Sequence, residues 1–273
     1  MTNSRVRVVH IDTDDGPIEA RIRGAGPSVV LLPSLGRGAC DFDEITALMA
    51  GRGIRTICPQ PRGIGGSALP GRPYDMRDLA QDIVNVVEAT CEESALIAGH
   101  AFGNFVARSV ASFFPSAVRG IALVAASPGR VPGEASPYDP EVIDAVYRCS
   151  DVSLPRQERL RLLQLAFFAE GNDPSVWMQG WYPEAKQLQR KAQTLTPVDA
   201  FFAAGTVPIL DLQAAQDTVA PRKHSHVLSS ELGDRVTIEL IDGAGHALLP
   251  EQPLAVAQAL TRWVRSMSPG QGS

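Results

Sequence analysis

From Ile18 to Arg23 apolar and charged residues alternate one for one, Ile18, Ala20 and Ile22 against Glu19, Arg21 and Arg23. That is the period of a strand with one wet face. Asp14-Asp15-Gly16-Pro17 ahead of it is turn material, so this segment and the one before it predict an antiparallel hairpin. Beyond Arg23 the period changes. Val29-Val30-Leu31-Leu32, Ala95-Leu96-Ile97-Ala98 and Ile121-Ala122-Leu123-Val124 are short unbroken apolar runs, as expected of strands covered on both faces in a parallel sheet. Between them Met76, Leu79, Ile83 and Val86 share one helical face, and Val106, Val110, Phe113 and Phe114 share another. Later, Val207-Pro208-Ile209-Leu210, then Val236/Ile238/Leu240, then Val256/Leu260/Trp263/Val264 predict strand, strand, helix.

Residues 130–205 interrupt the series. They offer no convincing strand but several helical stretches, among them Ser153 to Gly171 with Leu160, Leu163 and Phe167 on one face. They also hold Phe167, Phe168, Trp177, Trp181, Tyr182, Phe201 and Phe202. The pattern predicts an α/β fold: a mostly parallel central sheet flanked by helices, built from residues 1–129 and 206–273, with residues 130–205 as a helical insert between two strands. No internal repeat or low-complexity segment appears.

With 273 residues, 44% hydrophobic and 20% charged, the chain has the composition of one large globular domain or a domain with an insert. Lys+Arg 25 against Asp+Glu 30 gives a net charge of −5 without any Lys/Arg run. Neither nucleic acid nor a membrane surface is therefore expected as a partner. The amino terminus, MTNSRVRVVHIDTDD, lacks an apolar stretch of signal-peptide length, so an unexported, cytoplasmic protein is expected. Cys40, Cys58, Cys91 and Cys149 are scattered, without CxxC spacing, and read as reduced thiols. The tail from Ser268 to Ser273 reads as a frayed end. Whether the chain forms a homo-oligomer is left open.

The chemistry is concentrated in a few short segments. Ala95 to Ala98 leads into Gly99-His100-Ala101-Phe102-Gly103 and then a helical pattern, with two glycines flanking the centre of a sharp strand-to-helix turn. Gly245-His246 follows the last strand, with Glu251 and Pro253 just beyond. Asp217-Thr218-Val219-Ala220-Pro221 lies between the two. Together these resemble the α/β-hydrolase fold family: its nucleophile elbow G-x-S-x-G with Ala101 at the serine position, its D-x-V-x-P acid loop, and its G-H-x(4)-E-x-P histidine segment, in the family's chain order.

The resemblance runs from about Val6 to Val264 and sets residues 130–205 at the family's helical cap. It implies His246 as general base, oriented by Asp217. As residues alone, Asp217 also reads as a helix cap ahead of Pro221, and Asp211 and Asp242 are alternative acids. Pro33-Ser34-Leu35-Gly36 follows a buried strand where the family more often has H-G-x, which implies the N–H groups of Leu35 and Phe102 as the oxyanion hole. Gln60 to Ser67 is similar to the family's D-x-R-G-x-G-x-S turn, with Gln60 where Asp is usual, and reads as structural support. Ser34, His100, Trp177, Trp181 and Phe201 are the candidate substrate contacts.

A methyl group cannot attack a carbonyl, so the chain as written lacks the covalent step that the rest of the constellation serves. Two origins compete: a serine replaced by alanine, or a natural chain that has become a ligand-binding protein. The first is favoured, because a binding protein has no need of His246 and Asp217 at these positions. Ser34 and Cys40 are not at an elbow and read as loop hydrogen bonding and packing. His224 and His226 lack a third ligand and read as the face of a surface helix, so no metal is expected. No nucleotide or flavin motif appears, and no cofactor is expected.

With serine at position 101 the resemblance implies hydrolysis of a hydrophobic carboxylic ester or lactone. The loop Pro33 to Gly38 is similar to that of bacterial hydrolases of bulky aromatic lactones, zearalenone among their substrates. A carbon–carbon bond hydrolase and a non-catalytic ligand-binding protein on the same scaffold are the alternatives.

Overall fold

The computed structural model describes residues 5–268; the rest of the predicted frayed tail lies outside them. Eight strands form one sheet: β1 Arg7–Ile11, β2 Ile18–Arg23, β3 Ser28–Leu32, β4 Arg55–Pro59, β5 Ala95–His100, β6 Val118–Val124, β7 Ile209–Ala214 and β8 Val236–Ile241, in the order β1-β2-β4-β3-β5-β6-β7-β8. β1 and β2 are the predicted hairpin, antiparallel with Arg7 opposite Ile22 and Ile11 opposite Ile18. β2 is also antiparallel to β4, and every other pairing is parallel. This is the α/β-hydrolase fold, and β4 is the strand the apolar pattern did not single out. Its sequence Arg-Thr-Ile-Cys-Pro mixes residue types, yet Thr56 to Pro59 are all buried.

Alternation along the central strands sorts side chains to two cores. Val30 and Leu32 of β3, with Ile57, Ile97, Ile121 and Leu123, pack under α2 (Met76–Thr90) and α3 (Phe102–Phe113). Val29 and Leu31, with Leu96, Ala98, Ala122 and Val124, pack under α1 (Asp43–Ala50) and the last long helix, Pro253–Ser266. Truncating one such fully buried residue, Leu31→Ala for example, costs about 2–5 kcal/mol. α2 starts where its sequence says it should. Asp75 accepts from the Arg77 and Asp78 N–H groups while Asp78 accepts from the Asp75 N–H, a reciprocal cap.

Between β6 and β7 the chain makes α4 (Pro140–Arg148), α5 (Arg156–Ala166) and α6 (Pro183–Leu195). Val142, Ala145, Leu162, Leu163, Phe167, Phe168 and Trp177 form a separate small core that touches Val219 and Ala247. Leu162, rather than the half-buried Leu160, completes the buried face of α5. Phe201 and Phe202 instead join the main core against α3.

After β7 come α7 (Val227–Leu232), α8 (Leu248–Glu251) and α9 (Pro253–Ser266). β8 forms as predicted, but as an edge strand beside β7 alone, and Ile238 and Leu240 face outward, 42% and 40% exposed. His224 also departs from the sequence reading. It lies in a 3-10 turn, Arg222–His224, is buried, and bonds Glu134 through Nε2 at 3.1 Å; His226 is exposed. Cys40 is exposed rather than packed. Among the described residues no helix is long and apolar enough to cross a membrane, and no three His, Cys, Asp or Glu side chains gather as metal ligands would.

Candidate active site

At the end of β5 the chain turns into α3 through Ala101, whose φ of 49° and ψ of −112° are strained for any residue with a Cβ. Two glycines make the turn sterically feasible. A Cβ on Gly99 would sit 2.1 Å from the Gly103 carbonyl oxygen, and one on Gly103 would sit 2.4 Å from that of Leu32. The Ala101 N–H is donated to Val124 O at 3.0 Å, and Asn104 Nδ2 donates to Ala101 O, so the elbow is held on both sides. Its side chain is a methyl group at the floor of a cleft that His246 also lines.

His246 Nδ1 lies 2.9 and 3.1 Å from the two carboxylate oxygens of Asp217, and both side chains are buried. A carboxylate here can only accept, so Nδ1 carries the hydrogen and Nε2 presents its lone pair; no protein group among the described residues takes it. Asp217 Oδ1 also accepts the N–H groups of Val219 and Ala220 at 2.9 and 2.8 Å, fixing the carboxylate from the rear. No helix begins at Asp217, so the helix-cap reading does not hold: its bonds to Val219 and Ala220 close a turn, and the next helical turn, Arg222–His224, is capped at Pro221 without a side-chain bond. Asp211 faces Gln213 Nε2 at 2.7 Å, and Asp242 is exposed; neither bonds His246.

Several bonds tie down the histidine loop, the Ala247 N–H to Phe167 O at 2.7 Å among them. Glu251 accepts from Gly245 N and Ala169 N, both at 2.8 Å, and from Asn172 Nδ2 at 2.6 Å. His100 Nε2 donates to His246 O at 2.8 Å, which leaves its buried Nδ1 without a partner. Burial first, and then the neighbouring His246, push the His100 pKa down to about 3, so it stays neutral and acts as a fixed donor.

Facing the dyad is the loop after β3. No protein acceptor among the described residues takes the N–H of Leu35 or of Phe102, the first residue of α3, and both residues line the cleft. Gly36 N–H is donated to Gln189 Oε1 of α6 at 2.7 Å, while Tyr182 N donates to Gly36 O at 2.9 Å. Gly36 has a φ of 65°, and a Cβ there would fall 2.8 Å from Lys186 Cβ. Arg37 pairs with Asp41 through two bonds of 2.8 and 2.5 Å, donates to Gln179 O at 2.7 Å, and lies 4.6 and 4.7 Å from the ring centroids of Trp177 and Trp181.

Ser34 and Trp181 line the cleft, with Phe105, Tyr138, Tyr147, Phe167 and Val219. His100, Trp177 and Phe201 do not. Trp177 lies behind the wall, with its ring centroid 5.3 Å from that of Phe167, and Phe201 stacks edge-on against Phe105 at 5.9 Å. Arg37, Asn104 and Gln189 escaped the sequence reading. Arg37 sits inside a loop already singled out, whereas nothing local marks Gln189. The cleft has a free volume of about 90 Å³. A second cavity of about 50 Å³ lies beside the buried Arg62–Asp82 pair and includes neither Ala101 nor His246 among its lining residues. That pair, together with Arg62 bonds to the carbonyls of Asp15, Gly16 and Pro17, anchors the hairpin turn to α2.

Among known proteins, the chain is 26% identical over 244 residues to a Variovorax paradoxus protein provisionally named carbamate hydrolase RutD, covering 85% of this chain and 90% of that one. It is 28% identical over 129 residues to the pimeloyl-[acyl-carrier protein] methyl ester esterase of Pseudoalteromonas atlantica, covering 47% and 48%. An esterase from Exiguobacterium antarcticum superposes with a TM-score of 0.74 at 20% identity, over 95% of this chain and all of that one (100%). The sequence profile of the alpha/beta hydrolase family matches residues 29–259, and the chain belongs to that family.

Proposed function

We propose that the cleft takes a compact hydrophobic carboxylic ester or lactone, that the fold with serine at position 101 hydrolyses it through an acyl-enzyme, and that Ala101 closes this covalent route in the present chain. The observation that carries the reading is a buried His246–Asp217 pair facing a methyl group on a strained elbow, with two unclaimed N–H groups beside it. In the serine form, His246 Nε2 takes the hydroxyl proton as the oxygen attacks the carbonyl carbon. The Leu35 and Phe102 N–H groups hold the oxyanion, and the proton passes to the departing alkoxide. Water, deprotonated by the same nitrogen, then attacks the acyl ester; the C–O bond to serine breaks, the proton returns to the serine oxygen, and the carboxylic acid leaves. With a lactone the alcohol stays tethered, and one hydroxy acid is released.

In this reading residues 130–205 act as the cap over the cleft. Apolar walls favour hydrophobic esters. At about 90 Å³ the cleft seats a short acyl group, and the rest of a larger ester would lie toward its open side. The test compares Ala101→Ser with the unaltered chain on a short-chain aryl ester and a panel of aromatic lactones. Turnover is expected in the serine form alone, with a difference of about 10^6, the scale set by nucleophile removal in a serine protease. Silence of both folded forms would sink the hydrolase reading in favour of a ligand-binding protein.

A further inference from the structure

The cleft wall has a second side. Tyr147 of α4 lines both the cleft and an open groove of about 540 Å³ that runs along α6. Lys186, Gln187, Arg190, Lys191 and Thr194 fall on one face of α6 and form the groove's flank, and no Asp or Glu lines it. None of the three cations has a carboxylate partner among the described residues, in a chain whose net charge is −5. Arg190 holds its guanidinium 3.9 Å from the Tyr147 ring centroid. Lys186 Nζ donates to the carbonyls of Val146 and Tyr147 at 3.2 and 3.0 Å and to Ser150 Oγ at 2.8 Å, which fixes the end of α4 against α6.

We propose that this groove binds an anionic group, a carboxylate or a phosphate, carried at the far end of the ester whose reacting end occupies the cleft. Stacking on Tyr147 restricts the Arg190 fork without using its N–H groups, so less freedom is lost when an anion is gripped by two bonds. Lys191 lies next to it on the same face and adds a second charge. Tyr147 lines both spaces, so the cleft and the basic groove adjoin at its side chain. The chain would therefore select amphiphilic esters, neutral at one end and charged at the other. Identification of the reacting end rests on the ester reading; binding of the anion does not.

Because Ala101 closes the covalent route, affinity can be measured on the unaltered chain by titration calorimetry. Half-esters of short dicarboxylic acids and an ester bearing a terminal phosphate are compared with the matching neutral diesters. A charged ester is expected to bind about tenfold more tightly than its neutral counterpart, with added salt eroding that advantage. The exposed pair Arg190→Gln and Lys191→Gln, replaced together, is expected to abolish the preference and leave diester affinity unchanged. Equal affinities, or a preference that survives the double substitution, would overturn the inference. A parallel KM comparison in Ala101→Ser separates the two readings. Turnover without any charge preference defeats the groove alone; charge preference in binding without turnover defeats the ester reading alone.

Discussion

The two halves of the candidate site draw unequally on the segment between β6 and β7. His246 and Asp217 stand on loops after β8 and β7 and are fixed by backbone donors, by Glu251 and by His100 at the end of β5. The opposing loop carrying Leu35 is fixed from above: Gly36 is bonded at its N–H by Gln189 and at its carbonyl by Tyr182, and Arg37 is stacked on Trp177 and Trp181. The histidine side also leans on the segment between β6 and β7, through Ala169 and Asn172 on Glu251 and the Phe167 carbonyl that accepts the Ala247 N–H, but His246 and Asp217 themselves stand just past strand ends. The Leu35 loop takes Gln189, Tyr182, Trp177 and Trp181 from that segment. Under the proposed function, the Phe102 donor stands on the elbow after β5, while the aim of the Leu35 donor depends on a segment that also walls the cleft.

The sharpest way to test the sheet-borne half is Asp217→Asn in the Ala101→Ser background. An amide presents an N–H where the carboxylate accepted one, so His246 is driven to the wrong tautomer and its Nε2 no longer accepts the serine proton. A loss of about 10^4 in kcat is expected, measured on the same aryl ester. Loss of less than about tenfold would mean that Asp217 chiefly holds the turn through its bonds to Val219 and Ala220.

Asp211, on β7, tests the same half through stability. Burial pushes its pKa from 3.8 up to about 6, against the smaller downward pull of the Gln213 amide. Between those two values the folded chain holds a proton that the unfolded chain has released. Stability therefore falls as pH rises through that window and is level above it, by at most ~3 kcal/mol. Denaturant midpoints taken across the window should show this slope in the unaltered chain and lose it in Asp211→Asn. A slope unchanged by that substitution would assign it to other carboxylates.

What the sequence disclosed follows the same division. Gly99, Gly103, Asp217 and His246 are legible because each stands at a fixed offset from a strand end, and the turn chemistry constrains the residue type. The parallel strands are legible because burial on both faces requires unbroken apolar runs. β8 shows the limit of that signal. Its alternating Val236, Ile238 and Leu240 predict a strand, but not which face is wet, since an edge strand with a single neighbour leaves two of the three exposed. The wall of the cleft was harder. Trp177 and Trp181 are both aromatic, near each other in sequence and in the same segment, yet only Trp181 reaches the cleft. Gln189 bonds a glycine 153 residues away, a pairing that no local pattern encodes.

That distant bond gives the last prediction. Gln189→Leu keeps the side chain's approximate length and removes the acceptor, so the Gly36 N–H is left buried without a partner and the peptide next to Leu35 is free to turn. An oxyanion donor contributes only when aimed at the developing charge. In the Ala101→Ser background kcat should then fall about 10- to 100-fold with KM nearly unchanged, because the ground-state carbonyl leans on this donor far less than the transition state does. Gln189→Glu restores an acceptor at the same reach and should recover most of that loss, despite the cost of placing a carboxylate there. A packing role would give a different pattern: Leu would be tolerated, Glu would be the damaging change, and KM would move together with kcat. The contrast between the two variants therefore decides whether the segment between β6 and β7 merely covers the site or sets the aim of one of its two oxyanion donors.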